Sequence, residues 1–345
     1  MKQRRAGRIA FHTTGFALAL SVLLGSISPL GISSNVQIAR AQSNEVTRTR
    51  INVQALNDFV VEPGKMEIVA DAGQRVTRFV SITSRIPEKR SFVLGIEDYI
   101  GTDDKNNPVQ LLGTDDGPYT AKDILTPALT TFDLDFGEKI TIPVSINIPA
   151  NAEPRGYYGA VVVAEQPKEQ TDASSVETEG TTRIVSRVGV LFLVRVNGEA
   201  NEAGALEDFS VMGPDTSFFQ RAPEGFEIVF QNTGSVHLVP HGIITVENLI
   251  GSTVATLPVD AYFALPDSRR YRDIIWNSSG FMFGRYTATL EQYKGYGGED
   301  NVETKTVSFW IVPLKLVIPI AAVCLFLGLL AYYVLTRFEI KKKPF

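Results

Sequence analysis

Gln231-Asn-Thr-Gly-Ser-Val-His-Leu-Val-Pro-His-Gly-Ile-Ile-Thr-Val246 puts two of the chain's three histidines, His237 and His241, four residues apart. On a helix that spacing makes them neighbours able to share a zinc ion. On a strand it separates them by about 13 Å, beyond the reach of one metal. From Val236 to Val246 the even positions are the more apolar, and the odd ones include His237, His241 and Thr245. Pro240, Gly242 and the β-branched run oppose a helix, and Asn232-Thr-Gly234 is a turn signal. The stretch reads as a strand from Val236 to Val246 carrying two solvated histidines. A metal-dependent enzyme at the His237/His241 region would need a sharp bend at Pro240 and further ligands.

Period-two alternation extends outward from this stretch, and helical periodicity is nearly absent. Strands are predicted at 75–83, 91–97, 139–148, 157–164 and 184–196. After the polar joint Asn197–Gly204 a second series follows at 206–212, 226–230, 236–246, 253–259, 270–276, 285–292 and 302–311. Pro143 should put its strand at a sheet edge or a bulge. Many short strands between Gly, Asp, Asn and Pro clusters mean an all-β chain of two tandem immunoglobulin-like β-sandwich domains, 42–200 and 201–312. Gln166 to Thr182 has no apolar pattern and reads as a long solvated hairpin loop. Gly101 to Tyr119 carries Gly-Thr-Asp-Asp twice, without the oxygen spacing of a calcium loop, and reads as a surface turn region.

The ends differ from the middle. Basic Met1 to Arg8, an apolar run and the small residues Ala39 and Ala41 form the layout of a secretory signal, 1–41, cleaved after Ala41. An uncleaved signal anchor is the alternative, because Ile9 to Ile38 is long. Leu316 to Leu335 is apolar and uncharged, long enough to cross a bilayer as one transmembrane helix within 313–336. Arg337 and Lys341 to Lys343 behind it make 337–345 a basic cytoplasmic tail. The expected protein is thus a single-pass cell-membrane protein with its β-domains outside. Between Gln42 and Thr336 stand 24 Lys+Arg against 37 Asp+Glu, a charge of −13. That balance argues against nucleic acid and against electrostatic adhesion to anionic wall polymers. The one cysteine, Cys324, falls in the span, so the exported part has no disulfide, which favours a bacterial surface protein.

No nucleophile elbow, phosphate loop, dinucleotide glycine pattern or H-E-x-x-H occurs, and no cofactor is implied. Trp276, Tyr286, Tyr293, Tyr296, Tyr157 and Tyr158 are candidates for stacking on sugar rings, although aromatics in sandwiches usually fill the core. Phe59-Val-Val-Glu-Pro-Gly-Lys65, Pro154-Arg-Gly-Tyr-Tyr-Gly-Ala-Val161, Arg187-Val-Gly-Val-Leu-Phe-Leu-Val194 and Asn232-Thr-Gly-Ser-Val-His237 occur in the order leader, two β-domains, span and tail. In this the chain resembles the bacterial WxL-interacting surface proteins. The resemblance implies a non-enzymatic, membrane-anchored scaffold whose first domain binds peptidoglycan or another envelope polymer and whose second docks a surface-protein partner. It carries over no contact residue. An envelope hydrolase and an envelope-assembly chaperone acting by strand addition are the rival expectations.

Overall fold

The computed structural model describes residues 45–166, 186–214, 216–298 and 301–337. The leader with Ala39 and Ala41, the predicted loop after Gln166 and the basic tail beyond Arg337 lie outside the described residues. Eleven strands come first: β1 (Thr47–Arg50), β2 (Phe59–Glu62), β3 (Lys65–Ala70), β4 (Arg75–Ser84), β5 (Arg90–Gly101), β6 (Val109–Leu111), β7 (Leu125–Pro127), β8 (Thr131–Leu134), β9 (Glu138–Asn147), β10 (Gly156–Glu165) and β11 (Arg187–Val196). One sheet runs β1-β9-β4-β2 with β7 also on β9; the other runs β3-β11-β10-β5-β6 with β8 also on β5. The alternating apolar residues of β4, β9, β10 and β11 meet between the sheets, around Ile82, Ile142, Val161 and Phe192. Each such side chain, removed from water, contributes about 1.5–3 kcal/mol.

Eight more strands follow: β12 (Gly204–Val211), β13 (Phe218–Phe219), β14 (Gly225–Asn232), β15 (His241–Asn248), β16 (Thr253–Val259), β17 (Ser268–Ile275), β18 (Gly284–Tyr293) and β19 (Val302–Ile311). They pair as β12-β14-β17 and β13-β19-β18-β15-β16, around a separate core of Phe226, Phe230, Trp276, Leu290 and Phe309. The chain is therefore mostly β-sheet in two sandwiches, each with its own core. Helix α1 (Leu314–Arg337) follows at once, about 36 Å long at the helical rise. None of its residues is buried, so its apolar surface has no protein cover.

Two readings of the sequence need correction. Pro143 lies not at an edge but inside β9, a central strand. On the side away from β4, β9 pairs with β1 up to Thr141 and with β7 from Val144 on. Its missing N–H falls at the changeover between those two short partners, where no ladder bond is lost. The second correction concerns 236–246. Pairing in β15 begins only at His241; before it Leu238 makes an isolated bridge with Ala264. Buried Asn232 holds this irregular segment. Its Nδ2 donates to the carbonyls of Val236 and Ala264, both at 2.8 Å, and its Oδ1 accepts the Gly234 N–H at 2.9 Å.

Strand β10 explains how the sandwiches join. Tyr157, Val161 and Val163 face the first core. The alternate residues Tyr158, Ala160 and Val162 are buried too, in a small cluster with Tyr99 and Leu193 of the same sandwich and Leu265 of the second. A strand covered on both faces carries a continuous apolar run instead of alternation.

Candidate functional site

The structure does not bring the two histidines into one site. His237 is buried at the junction of the sandwiches, while His241 is exposed and stacked on Tyr293, ring centres 5.1 Å apart. The Tyr158 hydroxyl accepts the His237 backbone N–H at 2.5 Å and lies 3.3 Å from its Nδ1. With its lone pair taken by that N–H, the hydroxyl proton is free to be donated to Nδ1, which suits a neutral imidazole. Burial pushes the His237 pKa down to about 4, and it raises that of Tyr158. Among the described residues no three His, Cys, Asp or Glu side chains converge as metal ligands.

The segment expected as surface turns is part of the same junction. Buried Asp98 accepts the backbone N–H groups of Gly117, Ala121 and Lys122, each at 3.0 Å, and so fixes the loop. From it the Tyr119 hydroxyl donates to Asp267 at 3.0 Å; burial first, then that bond, push the Tyr119 pKa up to about 12. Asp103 takes the Arg269 N–H at 2.7 Å and its guanidinium at 3.0 Å, and Lys105 lies 2.8 Å from Asp273. These ion pairs are solvent-exposed, each contributing about 0–1 kcal/mol, so the buried Tyr158–His237 contact holds the junction more than they do. A Cβ on Gly101 would meet Ser268 Oγ, so only glycine allows this close approach. The cavity enclosed here is about 120 Å³, room for a few waters rather than a substrate.

The aromatic candidates offer little stacking surface. Tyr157, Tyr158, Trp276 and Tyr286 are buried. Tyr293 is covered by His241, and the Tyr296 hydroxyl is bonded to Gly204. Trp276 and Tyr286 pack beside Phe226 and Phe309 in the second core, Tyr157 in the first core and Tyr158 in the junction cluster.

What the sequence reading left out is the state of the sheet edges. Among the described residues, edge strands of four residues or more are β1, β2, β3, β8, β12, β16 and β17. Six of them carry charges: Arg48 and Arg50, Glu62, Lys65 and Glu67, Asp133, Glu207 and Asp208, and Arg269 to Asp273. Charge on an edge opposes pairing with a foreign strand. β16, Thr253-Val-Ala-Thr-Leu-Pro-Val259, carries none. It pairs with β15 on one side only; Ala255 and Leu257 pack on the core, while Val254 and Thr256 are exposed. The register with β15 shifts between Ala255 and Thr253, leaving Val254 as a bulge, and Pro258 ends the stretch of consecutive N–H donors, so the regular open backbone is Ala255 to Leu257, about 10 Å. The lack of charge was visible in the sequence, but edge status is a property of the pairing and was not.

No family model and no curated protein matches the chain. Among solved structures it is similar to the Class 5 fimbriae chaperone CfaA, at 15% identity and a TM-score of 0.35, covering 74% of this chain and 100% of that one. A chaperone–tip adhesin complex of CFA/I fimbriae gives 12%, 0.36, 72% and 98%. The CsuC–CsuE chaperone–tip adhesion subunit pre-assembly complex of Acinetobacter baumannii gives 8%, 0.33, 73% and 97%.

Proposed function

We propose that this chain is a non-enzymatic, membrane-tethered protein that holds another extracytoplasmic polypeptide by strand addition to β16. The observation that carries the reading is the single uncharged edge among the seven long ones of the described residues. In strand addition the partner's backbone supplies the affinity and alternate side chains the specificity. The three regular edge residues offer roughly two to four hydrogen bonds, each about 0.5–1.5 kcal/mol net, so side-chain contacts on Val254 and Thr256 must add to them. The apolar α1 supplies the tether, with both sandwiches outside and the basic end inside, as the positive charge behind the span implies. The resemblance to the WxL-interacting proteins belongs to the same proposal, since it assigns partner docking to the second domain, which carries β16. Glycan binding is the weaker reading, because its aromatic candidates are spent on the core. An assembly-chaperone role is the form of this proposal in which the partner is released rather than kept.

The test is the native size of the full chain in gently solubilised membranes. The wild type should migrate as a complex larger than the chain alone. Val254→Lys with Thr256→Lys should migrate as the free chain, and Asp208→Lys on edge β12 should stay in the complex. A wild type that migrates free, or a double-lysine variant still in complex, overturns the proposal. Hydrolysis of a wall polymer by the purified chain would overturn its non-enzymatic part.

A further inference from the structure

The exposed apolar side chains of the second sandwich collect at one end. Phe218, Leu249, Ile250, Phe281, Phe283 and Trp310 are all solvent-exposed, Ile250 at 84% and Phe281 at 73%. Strand register places them together. Gly284, just after Phe281 and Phe283, lies opposite Ile311, and Phe218 lies beside Trp310, their rings stacked. Asn248, just before Leu249, lies opposite Tyr286, two residues from Gly284. α1 begins at Leu314, three residues after Ile311 and so within about 10 Å of it. The remaining exposed large apolar residues of the second sandwich are less exposed than Phe283: Ile275 at 56%, Val254 at 43%, and Ile243 and Val302 at 36%.

From this we infer that the α1 end of the second sandwich sits in the headgroup layer of the bilayer that α1 crosses, with these loop tips immersed in it. The occupant of the surface is therefore lipid. The inference rests on the reading of α1 as a span, and three observations carry it beyond that reading. The hydrocarbon core is about 30 Å thick and each headgroup layer about 5–7 Å, so a helix of about 36 Å has its first residues already in the headgroups. Residues on loops level with its start are then at the same depth. Phe and Trp side chains gain by leaving water there, and Trp and Tyr mark membrane interfaces. Tyr332 and Tyr333, near the other end of α1, stand where the opposite interface falls. Finally, Arg221 and Lys315 line the cleft of about 800 Å³ between residues 218–224 and the helix start. They sit within reach of lipid phosphates, with Glu224 the one carboxylate among the described residues of its walls.

The test uses the full chain in phosphatidylcholine vesicles. The native Cys324, labelled with a polarity-sensitive fluorophore, should be quenched by a nitroxide deep in the acyl chains. In a Cys324→Ala background, single cysteines at Phe281 and Leu249 should be quenched by a headgroup nitroxide at least about threefold more than one at Val302, at the opposite end. Phe281 and Leu249 probes that match Val302, with Cys324 still quenched, overturn the inference and leave the span intact. A Cys324 probe that no lipid quenches overturns the span, and the inference falls with it.

Discussion

Where the second sandwich meets the first, polar side chains are held by directional bonds: buried Tyr158 with His237, buried Asn232 with three backbone groups, half-buried Tyr119 with Asp267. At its α1 end the same sandwich shows Phe281, Phe283 and Ile250 to solvent with no partner shape at all. The difference teaches what each end faces. A surface keyed by directional hydrogen bonds holds one neighbour in one geometry, whereas loose aromatic tips suit a fluid neighbour.

Substitutions can break that contrast. Asn232→Ala should have the largest effect, about 3 kcal/mol, because it strands three backbone groups at the junction end. Denaturant unfolding of the full chain in micelles measures it, and a loss under about 1 kcal/mol would mean that water replaces the amide. Next comes acid. His237 titrates near 4 in the folded chain against an ordinary value of 6.5, so its contribution is fully present above the unfolded value. As pH falls through that window the unfolded chain takes the proton first. Stability should drop by roughly 2 kcal/mol between pH 7 and pH 5, and His237→Asn should remove that part of the slope. Glu67 opposes the downward shift and Arg195 and Lys65 reinforce it, so the variant must be compared at equal ionic strength. Tyr158→Phe should cost about 1.5 kcal/mol by leaving the His237 N–H unpaired. At the other end, Phe281→Ser should change micelle stability by less than about 0.5 kcal/mol, and a larger loss would show that the tip packs on protein.

Much of this was legible in the residues. The alternation in β4, β9, β14 and β18 fixed the strands, and the uncharged run from Leu316 announced α1. Short strands such as β6, β7 and β13 were not legible, because two to four residues carry no periodicity. Pro143 misled because a missing N–H matters only against a partner, and the partner changes at that residue. His237 misled for a related reason. Alternation assigns a side chain to a face, but only the tertiary arrangement decides what covers the face. The doubly apolar Tyr157–Val163 run did hold a clue to the junction, since a solvated face would have alternated. The β16 edge required the sheet order, in which a local sequence pattern has no voice.

The central claim is that the second sandwich offers polypeptide an edge and lipid an end. A photoreactive residue placed in turn at Thr256, Asp208 and Phe281 of the full chain in intact cells tests it most directly, because mass analysis tells a peptide adduct from a lipid one. The expected result is one polypeptide, caught through an extended segment, at Thr256; lipid at Phe281; and neither at Asp208. Polypeptide adducts at Asp208 or Phe281 with none at Thr256 would contradict it.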